Sequence, residues 1–123
     1  PVRGILPGDG EVIVDARILD VVGCLVTKGL AMQGRYKEKD PYDVYTVVTC
    51  YMAGPQDVAN EFKMHMTNPT VKEALAYIQK QFASENAEGP HSVARFMFPG
   101  DPEAQSRTRL DAFMRLSEFF KHL

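Results

Sequence analysis

Four times in this chain a proline follows a residue suited to opening a helix: Asp40-Pro41, Gly54-Pro55, Asn68-Pro69 and Asp101-Pro102. Proline has no amide hydrogen to donate. In the first turn of a helix that donor has no intrahelical acceptor anyway, and the ring already holds φ near its helical value. Asp and Asn side chains accept from the unsatisfied N–H groups of the same turn. Each of these starts is followed by apolar residues three and four apart. The pattern predicts short helices packed together through tight connections.

The first helix precedes these starts. It is expected from about Ala16 to Gln33, with Asp15 as N-cap. Ile18, Leu19, Val21, Val22, Leu25, Val26, Leu30 and Met32 cover most of its circumference, which implies burial on more than one side. Gly34 is a suitable terminator. The second helix opens at Asp40-Pro41 and sets Val44, Val47, Val48 and Tyr51 on one face. The third runs from Pro55 through Met66, with Val58, Phe62 and Met66 inward. The fourth carries Val71, Ala74, Leu75, Ile78 and Phe82. Ser84 to Gly89 reads as a polar loop. Pro90 begins a short fifth helix with Val93 and Phe96 inward, broken at Phe98-Pro99-Gly100. The last starts at Pro102 and turns Ala112, Phe113, Leu116, Phe119, Phe120 and Leu123 to the core.

Ahead of Asp15 the chain is different. Pro1 to Asp9 is rich in Pro and Gly, Gly8-Asp9-Gly10 reads as a turn, and Glu11 to Val14 reads as a short strand. A lone strand must pair outside itself, so a homodimer through this edge is one expectation. The fold class expected is mainly α: a compact bundle of about five to six helices with at most one short N-terminal strand. Residues 1–15 form the lead-in and strand, and residues 16–123 a single helical domain.

A length of 123 residues is enough for one core without staples. The net charge of −2 gives no global case for nucleic acid or an anionic membrane as partner. Cys24 and Cys50 lie in apolar helical runs and read as buried thiols of a reducing compartment. No apolar run approaches the roughly 18 residues of a membrane span, and no signal peptide is expected. A cytoplasmic location follows. The chain opens on Pro1 without an initiator methionine and is expected to be a fragment or processed product.

Polar chemistry concentrates between the first two helices. Lys28 has Cys24, Leu25, Ala31 and Met32 as its neighbours at three and four residues. A lysine in so apolar a stripe must reach water or a negative group. Two readings follow: an ion pair with Asp40 or Asp43, or a fixed ammonium for a polyphosphate. Asp40 and Asp43, spaced i, i+3, suit an N-cap and an N3 position, and both favour the positive helix end. Arg35, Lys37 and Lys39, with Tyr36 among them, form a basic turn that is either simply solvated or a guide for phosphates. His65, His91 and His122 lack ligand spacing, no zinc pattern occurs, and neither a Walker loop nor a GxGxxG is present. No metal ligands are assigned.

Lys28-Gly-Leu-Ala31, followed by Arg35-Tyr-Lys37-Glu-Lys39-Asp40-Pro-Tyr-Asp43-Val44-Tyr45, resembles the C-terminal motifs of the AbiEii-like nucleotidyltransferases. These are bacterial and archaeal enzymes of the DNA polymerase β type, including toxin components of abortive-infection systems. The family pattern sets a small residue three positions after the lysine. It then runs Arg, Lys, a basic residue and Asp-x-x-Asp, an aliphatic residue and Tyr, and each of those positions is met. The motif-bearing resemblance covers roughly Val12 to Met52. It implies that Lys28 contacts nucleotide phosphates and that Asp40 and Asp43 support the site. Arg35, Lys37 and Lys39 then lie on the phosphate side. It also implies a separate N-terminal catalytic domain whose sheet carries a Gly-Ser or Gly-Gly loop and an Asp-x-Asp for Mg²⁺. This chain has no Asp-x-Asp, so Mg²⁺ belongs to the parent enzyme and the isolated chain is expected to be inactive. The partners implied are that N-terminal domain, an NTP and an RNA acceptor. The alternative is a non-enzymatic helical module binding RNA or a protein such as an antitoxin.

Overall fold

In the computed structural model of the chain, residues 14–34 and 37–123 are described, with side chains from Val21 onward. They form six α-helices: α1 (Val14–Gly34), α2 (Lys39–Cys50), α3 (Pro55–Phe62), α4 (Pro69–Gln81), α5 (Glu88–Met97) and α6 (Pro102–Lys121). A 3₁₀ turn, Lys63–His65, follows α3. There is no strand among the described residues, and the fold is a mainly α bundle.

The proline starts work as the sequence implies, with one exception. Asn68 accepts from the N–H groups of Thr70 and Val71, and Asp101 from that of Ala104, each with Pro as the next residue. Gly54 caps α3 at φ 118°, a backbone conformation open to glycine. The exception is α2. It begins at Lys39, its N-cap is Glu38, and no side chain caps it. Asp40 is therefore inside the first turn and not the cap, and Asp43 is not an N3 residue. Pro41 still falls in the turn where its missing donor goes unneeded.

Other expectations shift as well. α1 already includes Val14 and Asp15, so Asp15 is no N-cap and Val14 no strand residue. The remainder of the expected strand lies outside the described residues. The third helix tightens to 3₁₀ geometry after Phe62 instead of running α-helical to Met66. Glu88 and Gly89, read as loop, open α5.

Every helix contributes a fully buried side chain to one core: Leu25, Val48, Phe62, Ile78, Val93 and Phe119 come from α1 to α6 in turn. Phe62 and Phe119 meet edge to face, with ring centroids 5.5 Å apart. α1 lies along α4 and against α2, while α5 packs between α2 and α6. Cys24 is half-buried and Cys50 exposed, so the second thiol is not the core residue expected. Phe96 is 42% exposed and does not point inward. No helix among the described residues is long and apolar enough to cross a membrane.

Candidate functional site

The rotation of α1 is fixed just beside Lys28. Gly29 lies so close to α4 that an added Cβ would stand 2.9 Å from the Ala74 carbonyl oxygen and 3.1 Å from the Ala74 Cβ. Leu25 and Met32, one turn on either side of Lys28, are buried. The lysine stem therefore runs out over apolar surface, and its ammonium meets the start of α2.

There it finds both expected carboxylates. Lys28 Nζ is 2.8 Å from Asp43 Oδ2 and 3.3 Å from Asp40 Oδ1. Asp40 is almost wholly buried, Asp43 largely so, and the Lys28 side chain is 28% exposed. Asp43 also takes Lys39, whose Nζ lies 3.0 Å from Oδ2 and 3.1 Å from Oδ1. The hydrogen bond to Asp43, opposed by partial burial and reinforced by Asp40, raises the Lys28 pKa above its ordinary value. Partial burial pushes the Asp43 carboxyl up, but the Lys28 and Lys39 ammonium groups together outweigh it and hold it below its ordinary value. Lys28 and Asp43 are thus both charged at neutral pH.

Of the remaining basic residues, Lys37 is exposed just ahead of α2 and Arg35 lies outside the described residues. The structure brings together Lys28, Lys39, Asp40 and Asp43. The two carboxylates do not fit a divalent cation here, because the Lys28 ammonium stands between them where such an ion would sit.

Two further clusters are tied through contacts more than fifty residues apart in the chain. Arg95 of α5 bridges Glu38 and Glu88, with its terminal nitrogen 2.7 Å from Glu88 Oε2, and Ser92 donates to the same oxygen. Tyr45 donates its hydroxyl to Asp111 of α6, which also faces Arg115. Glu38 and Tyr45 lie within the motif-bearing stretch, but their partners have no mark in the sequence that local periodicity could find. No protein-family model, curated protein or solved structure matches this chain.

Proposed function

We propose that this chain is the C-terminal helical part of a cytoplasmic nucleotidyltransferase, in which Lys28 presents an oriented ammonium to the phosphates of a nucleoside triphosphate. The observation that carries this reading is the donor count at Lys28. An ammonium has three N–H donors. Asp43 and Asp40 take two of them, and with 28% of the side chain exposed the third is available to a ligand oxygen. The two carboxylates fix the position and hold the charge. Phosphoryl transfer depends on such positioning, and on cations that offset negative charge on the transferring group. Asp40 and Asp43 are positioning residues in this reading. Lys39 and Lys37 add positive potential at the same edge. The metal chemistry is supplied by the sheet of the parent enzyme, along with the acceptor site.

The binding-module alternative draws on the same cations. Two of them, Lys28 and Lys39, already share Asp43, which leaves less free positive charge for an RNA backbone than the sequence promises.

The test begins with the coding sequence upstream of Pro1, read for a Gly-Ser or Gly-Gly loop followed by Asp-x-Asp. In the protein that carries both parts, transfer of labelled nucleotide should be abolished by Lys28→Met with the fold retained. The 123-residue chain alone should transfer nothing. Full activity of the Lys28→Met enzyme, or transfer by the isolated chain, would sink the proposal.

A further inference from the structure

The first turn of α2, which carries Lys39 and Asp40, has no side-chain cap. Its N-cap residue, Glu38, turns its carboxylate to α5 instead, where Arg95 Nε donates to Oε2. The terminal nitrogen of Arg95 lies 2.7 Å from Glu88 Oε2 at the start of α5. Glu38 is thus fastened to a cation that is itself held to α5. One turn further along α2, the Tyr42 ring lies on that of Phe96, the residue after Arg95, with centroids 4.6 Å apart. Glu38 and Tyr42 therefore form one seam with Arg95 and Phe96.

The seam lies across α2 from Lys28. At about 100° per residue, Asp40 and Asp43 stand about 200° and about 140° round the helix from Glu38. Lys28 holds the α1 side of α2 through those two carboxylates, and Arg95 holds the α5 side through Glu38. Pro41 and Val44 are buried against the core, and Lys39 is exposed. An uncapped helix start frays readily, because its first N–H groups lack acceptors. The Arg95–Glu38 pair is 41% and 42% exposed, so it adds little to global stability. Its effect is local, on the turn that carries the partners of the Lys28 ammonium.

We infer that Arg95 is a positioning residue of the Lys28 site: through Glu38 it sets the first turn of α2, and with it the carboxylates that orient the Lys28 ammonium toward a polyphosphate. The inference rests on the nucleotidyltransferase reading for what the ammonium contacts. The tie from Arg95 to Asp43 is tested apart from that reading.

The experiment uses the 123-residue chain and its Arg95→Met, Arg95→Lys, Glu38→Ala and Lys28→Met variants, each checked for folding by its thermal midpoint. Two quantities are read: the NMR titration of the Asp43 carboxyl and the binding of inorganic tripolyphosphate. Against partial burial, which raises it, the Lys28 and Lys39 ammonium groups hold the Asp43 carboxyl below its ordinary value. Looser contact with Lys28 therefore moves it up. Loss of the Glu38 charge by itself would lower the Asp43 pKa and strengthen anion binding. Release of the first turn does the opposite, so Glu38→Ala separates position from charge. It should raise the Asp43 pKa and weaken tripolyphosphate binding at least about threefold. Arg95→Met should do the same, Arg95→Lys should stay close to the wild type, and Lys28→Met should weaken binding most. An Asp43 pKa lowered or unmoved in Glu38→Ala overturns the positioning role, and the phosphate reading survives if binding still depends on Lys28. Tripolyphosphate binding unchanged in Glu38→Ala overturns the positioning role as well. Absence of binding to the wild type overturns both.

Discussion

Lys28 and Asp43 join α1 to α2 through a 2.8 Å ion pair, and the same ammonium lies 3.3 Å from Asp40, whose side chain is only 4% exposed. The two aspartates are unequal partners. Lys28→Met takes the ammonium from both largely buried carboxylates at once, whereas Asp43→Asn leaves Lys28 its contact with Asp40. Lys28→Met should therefore cost about 3 kcal/mol, the low end for breaking a buried pair. Asp43→Asn should cost about 1 kcal/mol, close to a surface pair. Urea unfolding of the two variants, with equal denaturant slopes, checks this order. A larger loss for Asp43→Asn would mean that Asp40 does not depend on Lys28.

The same pair sets a pH dependence. Asp43 has a folded pKa below its ordinary 3.8, so its contribution is present above that value and is lost as pH falls further through the folded pKa. Lys28 has a folded pKa above its ordinary 10.5, so its contribution is present below that value and is lost as pH rises through the folded pKa. The stability difference between the wild type and Asp43→Asn should be flat from about pH 5 to 9 and shrink below about pH 4. A difference that grows on acidification would reverse the assigned sign.

What the sequence made legible was local. Asn68 and Asp101 cap the helices they were expected to cap, because a short polar side chain before proline has few better uses. The meeting of Lys28 with Asp40 and Asp43 was also within reach, since only a short turn separates the helices that carry them. The cap assignment of Asp40 failed because a tertiary partner, Lys28, competes for its carboxylate. The spacing from Val93 predicts Phe96 as a core residue. In α5, however, the buried stripe runs through Pro90, Val93 and Ala94, and Phe96 lies beyond its edge against Tyr42. The ties from Glu38 to Arg95 and from Tyr45 to Asp111 span 57 and 66 residues, and no local period encodes them.

Tyr45 should be identifiable by its ionisation. Burial, helped by the hydrogen bond to Asp111 and that carboxylate's charge, pushes its phenol far above the ordinary 10.0. Of the five tyrosines, Tyr45 should contribute no tyrosinate absorbance until alkali unfolds the chain. The Tyr45→Phe variant should lose none of the earlier absorbance change. That substitution should also cost about 1–2 kcal/mol, because it leaves the Asp111 carboxylate with one partner fewer. An early-titrating tyrosine missing from the Tyr45→Phe spectrum would show that the hydroxyl is open to solvent.

Gly29 and Gly34 lie in the same helix but should answer alanine substitution in opposite ways. An alanine in place of either removes the entropic penalty of helical glycine, about 1 kcal/mol in an interior and less at an end. At Gly34 an added Cβ meets nothing within 4 Å, so Gly34→Ala should be neutral or slightly stabilising. At Gly29 it meets the Ala74 carbonyl oxygen at 2.9 Å, the Ala74 Cβ at 3.1 Å and Ile78 Cδ1 at 3.2 Å. Backbone and a Cβ cannot swing aside as a long side chain can, so α1 must move off α4. Overpacking of this kind costs about 1–3 kcal/mol, which outweighs the propensity gain. Because Lys28 is the next residue, the same displacement should loosen its ion pairs. Gly29→Ala should then lower the thermal midpoint and, in a double-mutant cycle, also reduce the stability lost on Lys28→Met. Purely additive losses would show that the α1–α4 contact and the Lys28 site are mechanically independent.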